Sequence, residues 1–166
     1  HSVPFTQIFP FPRRVFSPQP ETVMHMIHQL PPSLKSLVEH VEVLASKEET
    51  NRCLEQQQQI YLASDGGAIP GRASYGWILQ IGDTQIARGK GPTFGDDPRS
   101  FRAEGYGMAS ALVYLRLIQR QSKFTRDPRS KNTIICDNQG LLARIEEAAE
   151  WTYTTPNVSL RAEWDI

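Results

Sequence analysis

A two-residue turn, Gly82-Asp83, constrains the fold of this chain more than any other feature of its sequence. The run from Ala73 to Ile81 before it is rich in aromatic and β-branched residues, and Thr84 to Lys90 follow it. A two-residue loop with glycine first is typical of a tight hairpin, because its backbone twist matches that of paired strands. The pattern therefore predicts an antiparallel pair of strands.

Two further strands are predicted around this hairpin. Residues Ile60 to Ser64 have the pattern of a strand, and Gly66 to Gly71, with Pro70 inside, have the pattern of a turn. The short apolar run from Thr133 to Asp137 is typical of a strand that is buried on both faces. These local signals predict three meandering antiparallel strands and a later fourth strand.

Helical patterns precede and separate the strands. Asp97-Pro98 places an N-cap residue before a proline at the first helical position, and Asn138 can cap a later helix. Ser46 and Glu49 have the spacing of a capping box. Helices are predicted over residues 21–29, 33–44, 46–58, 98–121 and 139–150.

The N-terminal region differs in composition from the rest of the chain. Seven of the twelve prolines lie among the first 32 residues, a density that blocks regular helix and favours extended chain. We therefore expect residues 1–59 to form a Pro-rich arm and a helical connector, and residues 60–166 to form one α/β domain. A chain of 166 residues is long enough to bury a core in such a domain.

Composition and charge argue against several classes of protein. The formal net charge is zero, so any binding to nucleic acid requires a local basic patch. Cys53 and Cys136 lie far apart and predict no disulfide framework, which fits a reducing compartment. No apolar run reaches membrane-spanning length, and the N-terminus lacks the pattern of a secretory signal. The expected location is intracellular, in the cytoplasm or nucleus.

Three acidic residues interrupt the apolar patterns of their own segments. Asp65 ends the first strand and Asp137 ends the apolar one. Glu104 lies near the start of the long helix on its apolar stripe, so it is expected to point toward the sheet. The other members of that stripe are Met108, Ala111, Leu115 and Ile118. Singly, such acids are more often turn, cap or helix-dipole residues.

Together, the three acids predict a metal site. Carboxylates grouped at low dielectric repel one another, and a divalent cation removes that repulsion. Hard oxygen ligands from acidic side chains suit Mg²⁺ or Mn²⁺, which also accept phosphate oxygens as ligands. Asp65, Glu104 and Asp137 are therefore the candidate ligands and catalytic residues.

The order of these motifs resembles a type 1 ribonuclease H domain of the kind attached to retroelement reverse transcriptases. A strand with Ser-Asp-Gly-Gly is followed by a hairpin, a helix with Arg-Ala-Glu, and a strand with Cys-Asp-Asn before another helix. The resemblance covers about residues 60–150. Its matching positions are Ser64 to Gly67, Gly76-Trp77, Arg102 to Glu104, and Cys136 to Asn138.

The resemblance implies a ribonuclease H-like mixed sheet with flanking helices, and endonucleolytic hydrolysis of the RNA strand of RNA–DNA hybrids. Two Mg²⁺ or Mn²⁺ ions would be bridged by Asp65 and completed by Glu104 and Asp137. A reverse transcriptase domain in the same polyprotein is the implied partner. The candidate substrate-binding residues are Gly66, Gly67, Arg72, Arg102 and Asn138.

The chain departs from that family pattern after residue 150. Domains of the family continue into a further strand and helix with a fourth acid, which a mobile histidine often precedes. Trp164-Asp165 is more typical of a helix start, and the histidines of this chain all precede residue 41. We therefore expect a domain that lacks the last strand and helix, with an open sheet edge that favours association, including homo-oligomers.

Other functions fit parts of the sequence. A catalytically incomplete relative would keep the same fold as an interaction or connector module. An ATPase of the actin and sugar-kinase class also places an aspartate and glycines at a first hairpin, but it needs a longer, two-lobed chain. His25 and His28 have zinc-ligand spacing without a third ligand nearby, which favours a solvated or packed pair. The basic run from Arg116 to Lys131 fits a solvated loop or a phosphate grip.

Overall fold

A computed structural model describes residues 22–95, 99–122 and 132–150. The predicted Pro-rich arm, the N-cap at Asp97, most of the basic run and the tail from residue 151 lie outside these ranges. The elements are α1 Val23–His28, α2 Pro32–Leu37, β1 Val41–Val43, α3 Lys47–Glu55, β2 Ile60–Ile69, β3 Arg72–Ile81, β4 Thr84–Pro92, α4 Ser100–Gln121, β5 Asn132–Ile135 and α5 Gln139–Glu150.

The strands form one mixed sheet in the order β1-β4-β3-β2-β5. β1, β4, β3 and β2 pair antiparallel in that sequence, whereas β2 and β5 pair parallel. Between β4 and the parallel strand β5 the chain forms α4, which packs against both β2 and β3. The predicted α/β class, with three meandering antiparallel strands and then a parallel strand, is confirmed.

The two hairpins differ in how well local sequence predicts them. Gly82 has a φ of 57°, in the left-handed region that a two-residue turn with glycine first requires, so the predicted second turn is confirmed. The predicted first turn over Gly66 to Gly71 is wrong up to Ile69, because β2 continues to that residue and pairs with β3 throughout. The turn consists of Pro70 and Gly71 alone. Asp65 therefore lies inside the strand, opposite Gly76, and does not end it.

The N-terminal elements belong to the same packed structure. The predicted helix over residues 33–44 is wrong in its second half, because α2 ends at Leu37 and Val41 to Val43 form β1. The β-branched valines of this segment extend the sheet, with Val41 opposite Gly89 of β4. The capping box predicted at the start of α3 is confirmed by reciprocal hydrogen bonds between Ser46 and Glu49.

The edge strand β5 is less buried than its apolar sequence predicts. Only β2 pairs with it among the described strands, and the side chain of Ile135 is 52% exposed. Ile135 pairs with Ala63, whose neighbours Leu62 and Ser64 are buried on the face that α4 covers. Ile135 therefore lies on the opposite face of the sheet, and the predicted burial on both faces is wrong.

The core lies between the sheet and α4. All four predicted stripe residues of α4 are buried, which confirms the orientation of this helix. It begins at Ser100 rather than at the predicted Pro98, because Arg99 has extended backbone. Among the described helices, none combines the length and the apolar character needed to cross a bilayer.

One backbone carbonyl ties the N-terminal elements to this core. Leu37 is the last residue of α2, so its carbonyl has no partner within the helix. It accepts hydrogen bonds from the Tyr75 hydroxyl of β3, at 3.1 Å, and from the Ser110 hydroxyl of α4. Ser110 in turn accepts from the buried Trp77 Nε1 at 2.7 Å. Trp77 is therefore a core residue with its indole nitrogen paired.

Replacing Ser110 by alanine is expected to lower the free energy of unfolding by about 1–3 kcal/mol, because Trp77 Nε1 is left buried without an acceptor. Urea denaturation followed by tryptophan fluorescence measures the change. The exposed Ser74→Ala on β3 is the matched control and is expected to shift stability by less than about 0.5 kcal/mol. Equal effects of the two substitutions would contradict the network.

Candidate metal centre

The three predicted acids come from three different elements. Asp65 lies inside β2 and is exposed. Its Oδ1 accepts a hydrogen bond from the backbone amide of the next residue, Gly66, at 2.8 Å. Asp137 follows the end of β5 by two residues and is also exposed. Since Ala63 pairs with Ile135 in parallel register, both aspartates lie two residues beyond one pair. They line the same open groove.

Glu104 reaches this region because α4 lies directly on β2. A side-chain Cβ at Gly66 would lie 2.6 Å from the Ala103 carbonyl carbon and 2.7 Å from the Ala103 Cβ, closer than such atoms can approach. The absence of a side chain at Gly66 therefore sets the closeness of helix and strand. This contact brings the helix backbone at Ala103 and Glu104 against the strand next to Asp65.

Glu104 is a buried acid whose neighbours disfavour its charge. Its side chain is only 6% exposed, and its Oε2 accepts a hydrogen bond from the Cys136 thiol at 3.4 Å. Burial is the main cause that raises the pKa of Glu104, and the negative charges of Asp137 and Asp65 raise it further. Hydrogen bonds from Cys136 and Asn138 oppose that rise.

Three of the side chains here could hold a metal ion. Glu104, Cys136 and Asp137 each offer one ligand atom, and these atoms all lie within 4.8 Å of one another. Asp65 does not belong to that tight group, although it lines the groove beside Cys136 and Asp137. The structure therefore brings together Glu104, Cys136 and Asp137 as a group that could hold a metal ion.

The predicted substrate-binding residues are placed at different distances from the acids. Asn138 is close, since its side chain bonds with Glu104 and its Oδ1 accepts from the Leu141 amide at 3.0 Å. The latter bond confirms Asn138 as a helix cap. Gly67 has no atom within 4 Å of where a side chain would be, so the space beside it is open. The space beside Gly66, in contrast, is filled by α4.

Arg72 lies away from the three acids, whereas Arg102 is two residues before Glu104 in α4 and its side chain reaches a loop. Arg72 begins β3 opposite Ile69, four residue pairs from the Asp65 and Gly76 pair. At the usual rise of a strand this places its backbone roughly 13 Å from that of Asp65. Arg102 lies beside the loop at Gly95, where its Nη1 is 3.0 Å from the position of an added Cβ.

Two side chains of the groove were not predicted as site residues. Cys136 and Ser64 belong to the motifs that resemble a ribonuclease H domain, but neither is among the predicted site residues. Strand alternation would have placed both on the α4 side, because each immediately precedes an exposed aspartate. Burial raises the pKa of the Cys136 thiol, and the Glu104 and Asp137 carboxylates raise it further.

Alanine at Gly66 is expected to lower the free energy of unfolding by about 1–3 kcal/mol, because its methyl group would overlap the backbone of α4. Gly67→Ala is the matched control, with open space beside it, and is expected to change stability by less than about 1 kcal/mol, toward stabilisation. Thermal and urea unfolding of the two variants give the comparison. A neutral Gly66→Ala would contradict the close helix–strand contact.

Without metal, Glu104→Gln is expected to stabilise the protein at pH 7. Because the pKa of Glu104 is raised on folding, the folded chain binds this proton more tightly, and stability falls as pH rises from the ordinary value of 4.5 through the raised pKa. The uncharged glutamine avoids this loss, so its advantage should vanish below pH 4.5. Urea titrations at several pH values, with a chelator present, measure the difference in the free energy of unfolding between the variant and wild type.

Glu42→Gln is the control of opposite sign for this pH experiment. The hydrogen bond from Arg88, at 2.8 Å, lowers the pKa of Glu42, so its stabilising effect is present at neutral pH and is lost as pH falls. Removing that exposed charge should therefore not raise stability at pH 7. A Glu104→Gln protein less stable than wild type at pH 7 would contradict the electrostatic picture of the site.

The geometry of the donors is the evidence for a metal centre in this chain. A buried carboxyl, a thiol and an exposed carboxyl meet at one end of a parallel strand pair, and a second exposed carboxyl lines the same groove. Comparisons with known proteins do not extend this evidence: no family model matches the chain, and neither the curated proteins nor the solved structures gave a significant match.

Proposed function

We propose that this chain is a ribonuclease H-type endonuclease that hydrolyses the RNA strand of RNA–DNA hybrids in a divalent-metal-dependent reaction. The observation that carries the proposal is the convergence of Asp65, Glu104 and Asp137 from a central strand, a covering helix and the neighbouring parallel strand. The mixed sheet, with three antiparallel strands and a parallel one, supports a ribonuclease H-like fold.

The residues present fit Mg²⁺ or Mn²⁺. Carboxylate oxygens are the ligands that these hard cations prefer. Two donors of the tight group are carboxylates, and the charged form of Glu104 is disfavoured by burial and by both aspartates. A bound cation would stabilise the charged form of Glu104, which burial and both aspartates destabilise in its absence. Asp65, Glu104 and Asp137 would hold the ions through their carboxylate oxygens.

In the proposed mechanism the protein positions the hybrid and the ions. When bound, two ions would activate a water molecule for in-line attack and stabilise the leaving oxygen. Cys136 and Asn138 hold the carboxyl group of Glu104 by hydrogen bonds. The open space at Gly67 admits the nucleic-acid backbone.

The strand backbone at this groove suits recognition of RNA. β5 pairs with β2 only from Ile60 to Ala63, so this ladder does not cover β2 alongside Asp65 and Gly67. Backbone groups there can contact a 2′-hydroxyl, the group that distinguishes RNA from DNA. Arg72 and Arg102 remain the proposed contacts to phosphates further along the hybrid, and a reverse transcriptase domain of the same polyprotein is the proposed partner.

A second candidate is an interaction or connector module of the same fold. It is favoured by the sheet face opposite α4, where Tyr61 is 38% exposed and Ile135 is 52% exposed. Exposed apolar side chains that are grouped on one surface are typical of contacts with partner proteins. This function requires no metal and no cleavage.

A cleavage assay separates the two candidates. The full chain is incubated with a labelled RNA–DNA hybrid and Mg²⁺ or Mn²⁺, beside duplex RNA and duplex DNA. We expect cleavage of the RNA strand of the hybrid alone. Asp65→Asn and Asp137→Asn should each reduce the rate at least about a hundredfold, because metal-site stabilisation of the transition state amounts to several kcal/mol.

Asp83→Asn is the matched control for this assay. Asp83 is an exposed aspartate in the second hairpin turn, which follows the end of β3, seven residues beyond the partner of Asp65, Gly76. Its rate should equal that of wild type. Cleavage that survives Asp65→Asn would overturn the proposed site. A folded wild-type chain that cleaves no hybrid with either metal would favour the connector module.

A further inference from the structure

The acid cluster contains a thiol, which the proposed nuclease mechanism uses only as a hydrogen-bond donor to Glu104. Cys136 Sγ lies 3.4 Å from Glu104 Oε2, and Asp137 is the next residue in the chain. Their three ligand atoms lie within 4.8 Å of one another, a spacing that one ion can span. Asp65, the proposed central ligand for Mg²⁺, stands outside this group. The tightest donor set in the groove is thus one sulfur and two oxygens.

This donor set matches a different class of cation. Mg²⁺ takes oxygen ligands and dehydrates reluctantly, so it gains little from sulfur. Thiolate sulfur selects softer ions, and Zn²⁺ accepts mixed sulfur and carboxylate ligands in a four-coordinate site. Three protein donors leave one position for water. The geometry therefore suits Zn²⁺, or Co²⁺ as its spectroscopic substitute.

A second, independent observation points to a ligand at the same place. Ser64 is only 8% exposed, and its Oγ has no hydrogen-bond partner among the described residues. Buried hydroxyls are rarely left unpaired, because desolvation without a compensating bond costs about 1–3 kcal/mol. Ser64 lines the groove together with Cys136 and Asp137. A water held in the fourth position of a bound ion would give this hydroxyl a partner.

We propose that Glu104, Cys136 and Asp137 form a binding site for a thiophilic divalent cation of the Zn²⁺ class. On binding, the Cys136 sulfur gives up its proton to solvent and becomes a thiolate ligand. The consequence for catalysis rests on the proposed function: Zn²⁺ at this site occupies Glu104 and Asp137, so it competes with Mg²⁺ and inhibits hybrid cleavage.

The binding test uses Co²⁺ and the full chain, and it needs no activity. A cobalt–thiolate bond gives an intense charge-transfer band in the near ultraviolet, which carboxylate ligation alone does not give. Wild type should show this band at one equivalent of Co²⁺, and Zn²⁺ should abolish it by displacement. Cys136→Ser should lose the band and weaken Zn²⁺ binding, measured by competition with a chromophoric chelator, by about tenfold or more.

Cys53→Ala is the matched control, because Cys53 is the other cysteine and lies buried in the core. It should keep the band, whereas Asp137→Asn should weaken it. Circular dichroism establishes that each variant is folded, and Cys136→Ala gives a second loss of the thiol with a different side chain. A band that persists in both Cys136 variants, or a folded wild type that shows none, would overturn the site.

The inhibition test is separate, so the two proposals can fail independently. The Mg²⁺ concentration is held fixed, and each protein is compared with its own uninhibited rate. The Zn²⁺ concentration that halves the rate should be about tenfold lower for wild type than for Cys136→Ser. A charge-transfer band without any cleavage would support the zinc site and overturn the nuclease. Cleavage without the band, and with equal inhibition of both proteins, would support the nuclease and overturn the zinc site.

Discussion

The contact between α4 and β2 at Gly66 is the constraint on which the rest of the site depends. With no side chain at this position, the helix backbone at Ala103 and Glu104 rests on the strand itself. A larger residue would displace the start of the helix and move Glu104 away from Cys136 and Asp137. The same glycine therefore determines both how closely the helix packs on the sheet and how deeply Glu104 is buried. A substitution that changes this packing also changes the stability of the charged form of Glu104.

The N-terminal elements support this arrangement close to the same contact, because Tyr75 is the strand partner of Gly66. The Leu37 carbonyl receives hydroxyl groups from β3 and from α4, so three elements are joined by one acceptor. β1 also pairs with β4, which leaves the antiparallel end of the sheet covered by a short strand. The connector thus contributes polar bonds and an edge strand to the core that positions the site.

Local sequence predicted those features that depend on neighbours in the chain. The turn at Gly82, the Ser46 capping box and the apolar stripe of α4 each follow from a few adjacent residues, and each was confirmed. Residues 33–44 were predicted as one helix because their apolar spacing fits helical periodicity, yet β1 forms because β4, more than 40 residues later, supplies a pairing partner. Likewise Gly66 and Pro70 signalled one long turn, but pairing with β3 extends β2 to Ile69.

The candidate site likewise combines features that local sequence predicts with features that depend on tertiary contacts. Its chemistry follows from the latter. The order of the acids predicted their convergence, but the burial of Glu104 and the approach of Cys136 arise from the contact of α4 with the sheet. In the apo protein the charge of Glu104 is opposed by burial and by two aspartates, and a nearby thiol partly compensates with a hydrogen bond. A bound cation would relieve this conflict, since it would neutralise the carboxylates together. In the proposed site, the sulfur donor brought there by the fold would favour a thiophilic cation over Mg²⁺.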